Sequence, residues 1–176
     1  RGGLMNQAIR ITDKFLNGGK RIVYTKGRTP NANGENFSSD RETHQRVPMI
    51  VLVNHNSASA SEIVAGALQD WDRALVVGQL TWGKALVQNQ FPFNDGSALF
   101  RTIARYYTPS GRLVQRPHGG GGDEDFLAPG WGALGGGVGG SAGAAPGGVI
   151  DRPVYYTAAG REVLGGGGIM PDVRLE

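Results

Sequence analysis

Residues 47–54, VPMIVLVN, form a nearly unbroken aliphatic and β-branched run that constrains the fold more than any other stretch. A run of that length without polar alternation predicts a strand buried on both faces. A Ser-rich turn follows, then apolar residues at helical spacing (Ile63, Val64, Ala67, Leu68 and Trp71), then a second aliphatic run, RALVVG, at 73–78. Strand, turn, helix and strand in this order require a crossover connection, which predicts parallel strands in an α/β core. A length of 176 residues suffices for one sizeable core, so a single domain is expected over 1–176.

The flanking segments fit around that unit. Leu4, Met5, Ala8, Ile9, Phe15 and Leu16 make an apolar helical stripe over 4–17, which Gly18 and Gly19 end. KRIVYTKG (20–27) reads as a strand, and the polar excursion from Arg28 to Arg46 as a surface loop or flap. ALVQNQFPF and SALFRTIARYYT read as extended segments joined by a turn at Asn94–Asp95–Gly96–Ser97. The alternation of Leu99, Arg101, Ile103 and Arg105 predicts a half-exposed strand, and TPSGR (108–112) a further turn. Of the 30 glycines, many fall in 117–149, where few aliphatic residues remain to be buried. That stretch is expected to be a flexible insertion. From Val154 onwards a short hairpin, a Gly-rich turn and a last strand are predicted.

Bulk properties exclude several classes. The net charge of +3 comes from scattered Lys and Arg rather than a basic patch, which argues against nucleic acid as a partner. With no cysteine there is neither a disulfide framework nor a thiolate metal site. No apolar run approaches the ~18 to 20 residues of a membrane span. The opening RGGLMNQ has neither a starting Met nor a signal peptide, so the chain reads as an internal fragment and carries no information on compartment.

The chemistry concentrates in NHNSASASEIVAG, 54–66, which sets Ser57, Ser59 and Ser61 between a strand and a helix. Ser59 and Glu62 have the spacing of a capping box, which would account for them structurally. The alternative is that one serine is a nucleophile. A strand-to-helix turn presents its Oγ rigidly, the free N–H groups of the helix can stabilise an oxyanion, and Ala58 and Ala60 leave room for a substrate backbone. A serine hydroxyl then needs a base. His55 has no acidic residue that obviously orients it, and no G-x-S-x-G is present. His44 and His118 lie in the polar loop and beside the Gly-rich stretch, and the three histidines are too dispersed for a metal site. Lys84 remains, flanked by Trp82 and Leu86. Apolar surroundings of that kind are what a lysine needs in order to act as a neutral base. GQLTWGKA (78–85) also matches most of a phosphate-binding loop, but Ala85 stands where a Mg²⁺-ligating Ser or Thr is required, and a strand rather than a helix follows. A nucleotide is therefore not expected.

The segment VLVNHNSASASEIVAGALQDWDRALVVGQLTWGKALVQ (51–88) closely resembles the core of the C-terminal processing peptidases, or tail-specific proteases. DGSALFRTIARYYTPSGR, the initial RGGL and the late GGGIMPDV extend the resemblance, while 29–46 and the Gly-rich insertion carry no family pattern. It implies a ClpP/crotonase-like α/β fold and cleavage of protein substrates near their C-termini. The middle serine of the run, Ser59, would be the nucleophile and Lys84 the general base, with Gln88 orienting the amine. The backbone N–H groups of Gly3 and Ala60 would form the oxyanion hole. On an ideal strand i and i+4 share a face about 13 Å apart, so a direct Lys84–Gln88 contact requires a bend. The resemblance implies no metal and no cofactor. It implies a periplasmic or cell-envelope location and a partial protease core without the family's PDZ-like domain. Two positions depart from the family pattern: Trp82 replaces Phe, and Ala85 replaces Gly beside the lysine. A non-catalytic peptide-binding or scaffold module of the same fold is the competing reading. Oligomeric state and natural substrate are not legible.

Overall fold

A computed structural model describes residues 2–39, 47–117 and 152–175. The chain opens with helix α1 (Met5–Asp13), followed by strand β1 (Arg21–Gly27), a 3-10 turn at Pro30–Ala32 and strand β2 (Gly34–Phe37). Strand β3 (Ile50–Val53), helix α2 (Ala60–Asp70) and strand β4 (Leu75–Gly78) form the expected crossover unit. Strands β5 (Leu86–Pro92) and β6 (Ala98–Tyr107) then make a long hairpin. After 152 come β7 (Val154–Tyr156), β8 (Glu162–Leu164) and β9 (Val173–Arg174).

These strands make two main sheets of different character. β3 and β4 pair in parallel, with Ile50 opposite Leu75 and Val53 opposite Gly78, and β9 adds in parallel to β4. The other sheet is antiparallel in the order β2–β1–β6–β5, and β7–β8 is a separate hairpin. Helix α2 is almost wholly buried. Its Ile63, Ala67 and Leu68 share a core with Val53, Val76, Ile22, Val23, Tyr106 and Ile169. Burying a Leu- or Ile-sized side chain contributes about 1.5 to 3 kcal/mol, so this cluster holds the helix between the two sheets. The fold is thus a mixed α/β arrangement built on the predicted crossover.

Three expectations need correction. The helix predicted over 4–17 ends at Asp13. The next N–H groups, of Lys14 and Phe15, bond three residues back to Ile11 and Thr12, tightening the chain into a turn. The polar stretch 28–46 is not wholly loop, because Gly34–Phe37 pairs with β1 as an edge strand whose side chains are largely exposed. Polar composition alone could not reveal it. The run 47–54 contains a strand of four residues only, and that strand is buried on one face. Ile50 and Leu52 are 62% and 76% exposed, whereas Val53 is buried beneath α2. In β6 the face bearing Arg101 and Arg105 is exposed as expected, and the buried positions are Ala104 and Tyr106. The proposed Gly-rich insertion lies outside the described residues apart from its first residue, Pro117, as do His44 and His118.

The C-terminal end of α2 is anchored by charge. Asp70 and Arg112 form a fully buried ion pair. Asp70 also accepts the N–H of Ser110 at 2.9 Å, and Arg112 donates to Gln69 Oε1 at 3.0 Å. Burial lowers the pKa of Arg112, and the Asp70 carboxylate opposes the shift. Just beyond the helix, exposed Arg161 joins Asp72 and Asp172 at 2.6 Å each. Replacing Asp70 by Ala leaves a buried guanidinium without its counter-charge, so a loss of about 3 to 5 kcal/mol is expected. Replacing Glu35, whose pairing with Arg21 is exposed and 3.9 Å long, should cost under about 1 kcal/mol. Urea unfolding of the two variants side by side checks the contrast.

Candidate active site

The β3–α2 turn is closed by its own backbone. Ser57 N–H donates to Asn54 O at 2.9 Å, and Asn54 N–H returns to Ser57 Oγ at 3.2 Å. Ser59 comes next, at the head of α2, with φ +54° and ψ −115°. Among the described residues, Ser59 and Asp72 are the non-glycine residues with positive φ. Such a conformation costs of order 1 to 3 kcal/mol and persists only where surrounding contacts impose it. The three serines are therefore not equivalent. Ser57 closes the turn, Ser61 lies within the first helical turn, and Ser59 carries the strain.

Glu62 supplies much of what imposes it. Its carboxylate accepts the Ser59 N–H at 2.8 Å, which is the half of the capping box the sequence suggested. It does more than cap. Although 0% exposed, it also accepts Thr81 Oγ1 at 2.5 Å and the N–H groups of Gly83 at 2.6 Å and Lys84 at 2.9 Å. Burial holds the Glu62 carboxyl above its ordinary pKa, and these four donors offset part of that rise. Thr81, itself buried, accepts the N–H of Ile169 at 2.7 Å, so the carboxylate is also coupled to the segment before β9.

Lys84 sits in the connection between β4 and β5. That loop is fixed at several points: Gln79 N–H to Val53 O at 3.0 Å, Trp82 N–H to Ser57 O at 2.9 Å, and Ala85 N–H to Gln115 Oε1 at 2.8 Å. Its half-buried side chain donates from Nζ to Gln88 Oε1 at 3.1 Å. An ideal strand would hold these two residues too far apart. Lys84 precedes β5 and is not held in regular strand geometry with Gln88, and the β5–β6 register shifts between Val87 and Gln88. From β6, the buried Tyr106 hydroxyl lies 3.0 Å from Ser59 O and 2.8 Å from Lys84 O. The backbones of the serine and the lysine thus meet at one carboxylate and one phenol.

The remaining candidates lie around this junction. An added Cβ on Gly3 would meet the Ala60 methyl at 3.9 Å, which places Gly3 beside the head of α2. Among the described residues, no backbone acceptor takes the N–H of Gly3 or Ala60. The need for a glycine falls one residue earlier than the sequence suggested. A Cβ on Gly2 would lie 3.0 Å from both Ala58 O and Ser59 Cβ, whereas Gly3 has ordinary room. His55 is exposed and bonded to Gln79 and Asn56, away from the Ser59–Lys84 junction. Ala85 is fully buried and carries no positive φ, so the alanine imposes no left-handed strain beside Lys84. The left-handed position in the loop is Gly83, at φ +87°.

Glu62 was visible in the sequence only as a capping residue. Its contacts with Thr81, Gly83 and Lys84 join positions about 20 residues apart, which local spacing does not reveal. Tyr106 gave no signal beyond its place in a half-exposed strand, and Gln115 gave none.

Gly83 is an exacting backbone position within the lysine loop. A Cβ would add about 1 to 2 kcal/mol of left-handed strain and would press on Gly168 N at 2.9 Å and Val114 O at 3.1 Å. Gly83→Ala is therefore expected to lose about 2 kcal/mol or more in a denaturation experiment. Gly3→Ala should stay within about 0.5 kcal/mol of the parent.

Known proteins resemble this chain in sequence and in fold. The sequence pattern of peptidase family S41 matches residues 1–125. The carboxy-terminal-processing protease of Bartonella bacilliformis is 49% identical over 114 residues, which are 65% of this chain and 26% of that protein. The chloroplastic carboxyl-terminal-processing peptidase 1 of Arabidopsis thaliana is 41% identical over 131 residues, 74% of this chain and 26% of that one. Among solved structures, a photosystem II D1 C-terminal processing protease matches with a TM-score of 0.57 and 33% identity, over 65% of this chain and 29% of its own. The chain spans about a quarter of the length of the curated relatives it matches. With the family pattern running through the serine turn, the lysine loop and the β5–β6 hairpin, the chain belongs to peptidase family S41.

Proposed function

We propose that this chain is part of the catalytic core of a serine endopeptidase that cuts protein substrates near their C-termini, with Ser59 as nucleophile and Lys84 as general base. The observation that carries the reading is the position of Ser59. It is strained at the head of a buried helix and joined through its backbone to the loop bearing Lys84.

In this mechanism Ser59 Oγ attacks the scissile carbonyl carbon while its proton passes to Lys84 Nζ. Gln88, accepting a hydrogen bond from that nitrogen, restricts the directions in which the amine can point. The carbonyl oxygen becomes an oxyanion, and the N–H groups of Ala60 and Gly3 are the donors available to it. The Ala60 N–H lies at a helix N-terminus, where the dipole favours negative charge. Collapse of the tetrahedral intermediate expels the amine, which takes the proton from Lys84 and leaves an acyl-Ser59 ester. Lys84 then accepts a proton from water as that water attacks the ester. Deacylation returns the serine.

We also propose, on the family resemblance alone, that the complete protein works in the periplasm or cell envelope. From its glycine-rich composition we read 117–149 as an insertion within a single core. The likeness to processing proteases favours catalysis over a purely scaffolding use of the fold.

Ser59→Ala and Lys84→Ala, made in the complete polypeptide, should each lower turnover of an unfolded protein substrate by at least about 10³-fold. Thermal melting should show both variants folded. Cleavage by both variants at the parent rate would refute the dyad.

A further inference from the structure

The serine and the lysine are bridged twice, through the peptide units on either side of each residue. On the N–H side, Glu62 Oε2 accepts from both Ser59 N at 2.8 Å and Lys84 N at 2.9 Å. On the C=O side, the Tyr106 hydroxyl lies 3.0 Å from Ser59 O and 2.8 Å from Lys84 O. Each bridge is a single atom shared by the two residues, and both side chains are buried, Glu62 at 0% and Tyr106 at 2% exposure. The bridging groups come from different elements, Glu62 from the first turn of α2 and Tyr106 from the end of β6.

Resting on the Ser59/Lys84 reading, we propose that Glu62 and Tyr106 are paired positioning residues that fix the peptide of the nucleophile against the peptide of the base. The need for such a device follows from chain geometry. Lys84 reaches its working point through a long aliphatic stem with several rotatable bonds, and Gln88 constrains only the tip. Ser59 reaches its own through a single χ1 from a strained backbone. If the two backbones could shift relative to one another, the Oγ–Nζ separation would change with them. Misplacing reacting groups by about 1 Å can cost on the order of 100-fold in rate.

The two bridges are chemically complementary. A carboxylate oxygen has lone pairs for two N–H donors, so Glu62 can satisfy both at once. A phenol has one proton, which Tyr106 shares between two carbonyl oxygens or directs to one of them. Glu62 is therefore the stronger bridge and Tyr106 the adjustable one. Neither needs to touch substrate, which separates them from the catalytic groups.

The test uses the complete polypeptide and a fluorophosphonate probe, which reports serine reactivity without requiring peptide binding. Glu62→Gln keeps shape but turns one oxygen into a donor, and Tyr106→Phe keeps the ring and deletes the bridge. The expected result is labelling of the parent at Ser59, loss of labelling in Ser59→Ala and Lys84→Ala, and slower labelling in the bridge variants. The slowing should be about 10- to 100-fold for Glu62→Gln and a few-fold for Tyr106→Phe. With a peptide substrate, kcat should fall in both bridge variants while KM stays unchanged. A purely structural role would lower the melting temperature but leave the labelling rate of the folded fraction at the parent value. That outcome overturns the proposal and leaves the dyad standing. If the parent is not labelled at Ser59, the dyad falls and the bridges lose their function with it.

Discussion

The buried carboxylate of Glu62 is the constraint on which the arrangement around Ser59 depends. A carboxylate removed from water is costly unless its lone pairs are satisfied. Here four donors from two separate segments satisfy them. The helix head, the threonine of the lysine loop and the lysine's own backbone are drawn to one point because the charge is stable only if all of them converge. Apolar packing could bring α2 near the loop, but it is not directional. Hydrogen bonds to a charged acceptor are, and they specify which peptide faces which.

The two sheets divide the work of placing the site. The parallel unit β3–α2–β4 supplies Ser59 at a strand-to-helix turn, where the N–H of Ala60 emerges from the helix end. The antiparallel sheet supplies Gln88 from β5 and Tyr106 from β6. Lys84 belongs to the loop that passes from one sheet to the other. Lys84 lies just before β5 rather than within it, and beside Gln88 the register shifts past an extra β6 residue, Ile103. Irregularities of this kind recur beside functional sites because they re-aim a side chain without dismantling the ladder.

What the sequence made legible follows from the range of each interaction. The crossover unit was readable because helical and strand periodicities are local, and β3, α2 and β4 form where the pattern predicts. The β5–β6 hairpin was readable for the same reason, with its Asn-Asp-Gly-Ser turn as a marker. Strand β2 was not, since an edge strand with exposed side chains has no apolar alternation to detect. Nor was the exposed face of β3, because an aliphatic run states that burial is favourable and not what covers it. In the site, a serine of the turn and Lys84 as its base were readable from residue chemistry, the choice of Ser59 and the role of Gln88 came from a family resemblance, and the Ser59–Glu62 capping bond from local spacing. Tyr106 and the buried pair Asp70–Arg112 arise from long-range pairing that no window of sequence displays.

The strain at Ser59 can be understood from the same contacts. Its backbone costs of order 1 to 3 kcal/mol, and relaxing φ to a negative value would rotate the peptide units on either side of it. Those units hold the N–H directed at Glu62 and the carbonyl oxygen facing Tyr106. Breaking a hydrogen bond to a buried charged acceptor forfeits about 1.5 to 3 kcal/mol, and orphaning a buried polar group adds desolvation cost. Relaxation would therefore lose at least as much as it gained. The strained turn is thus the conformation in which the helix head, the lysine loop and β6 satisfy one another. For the proposed chemistry, the consequence is that the position of Ser59 would be inherited from the fold and would not have to be assembled when substrate arrives.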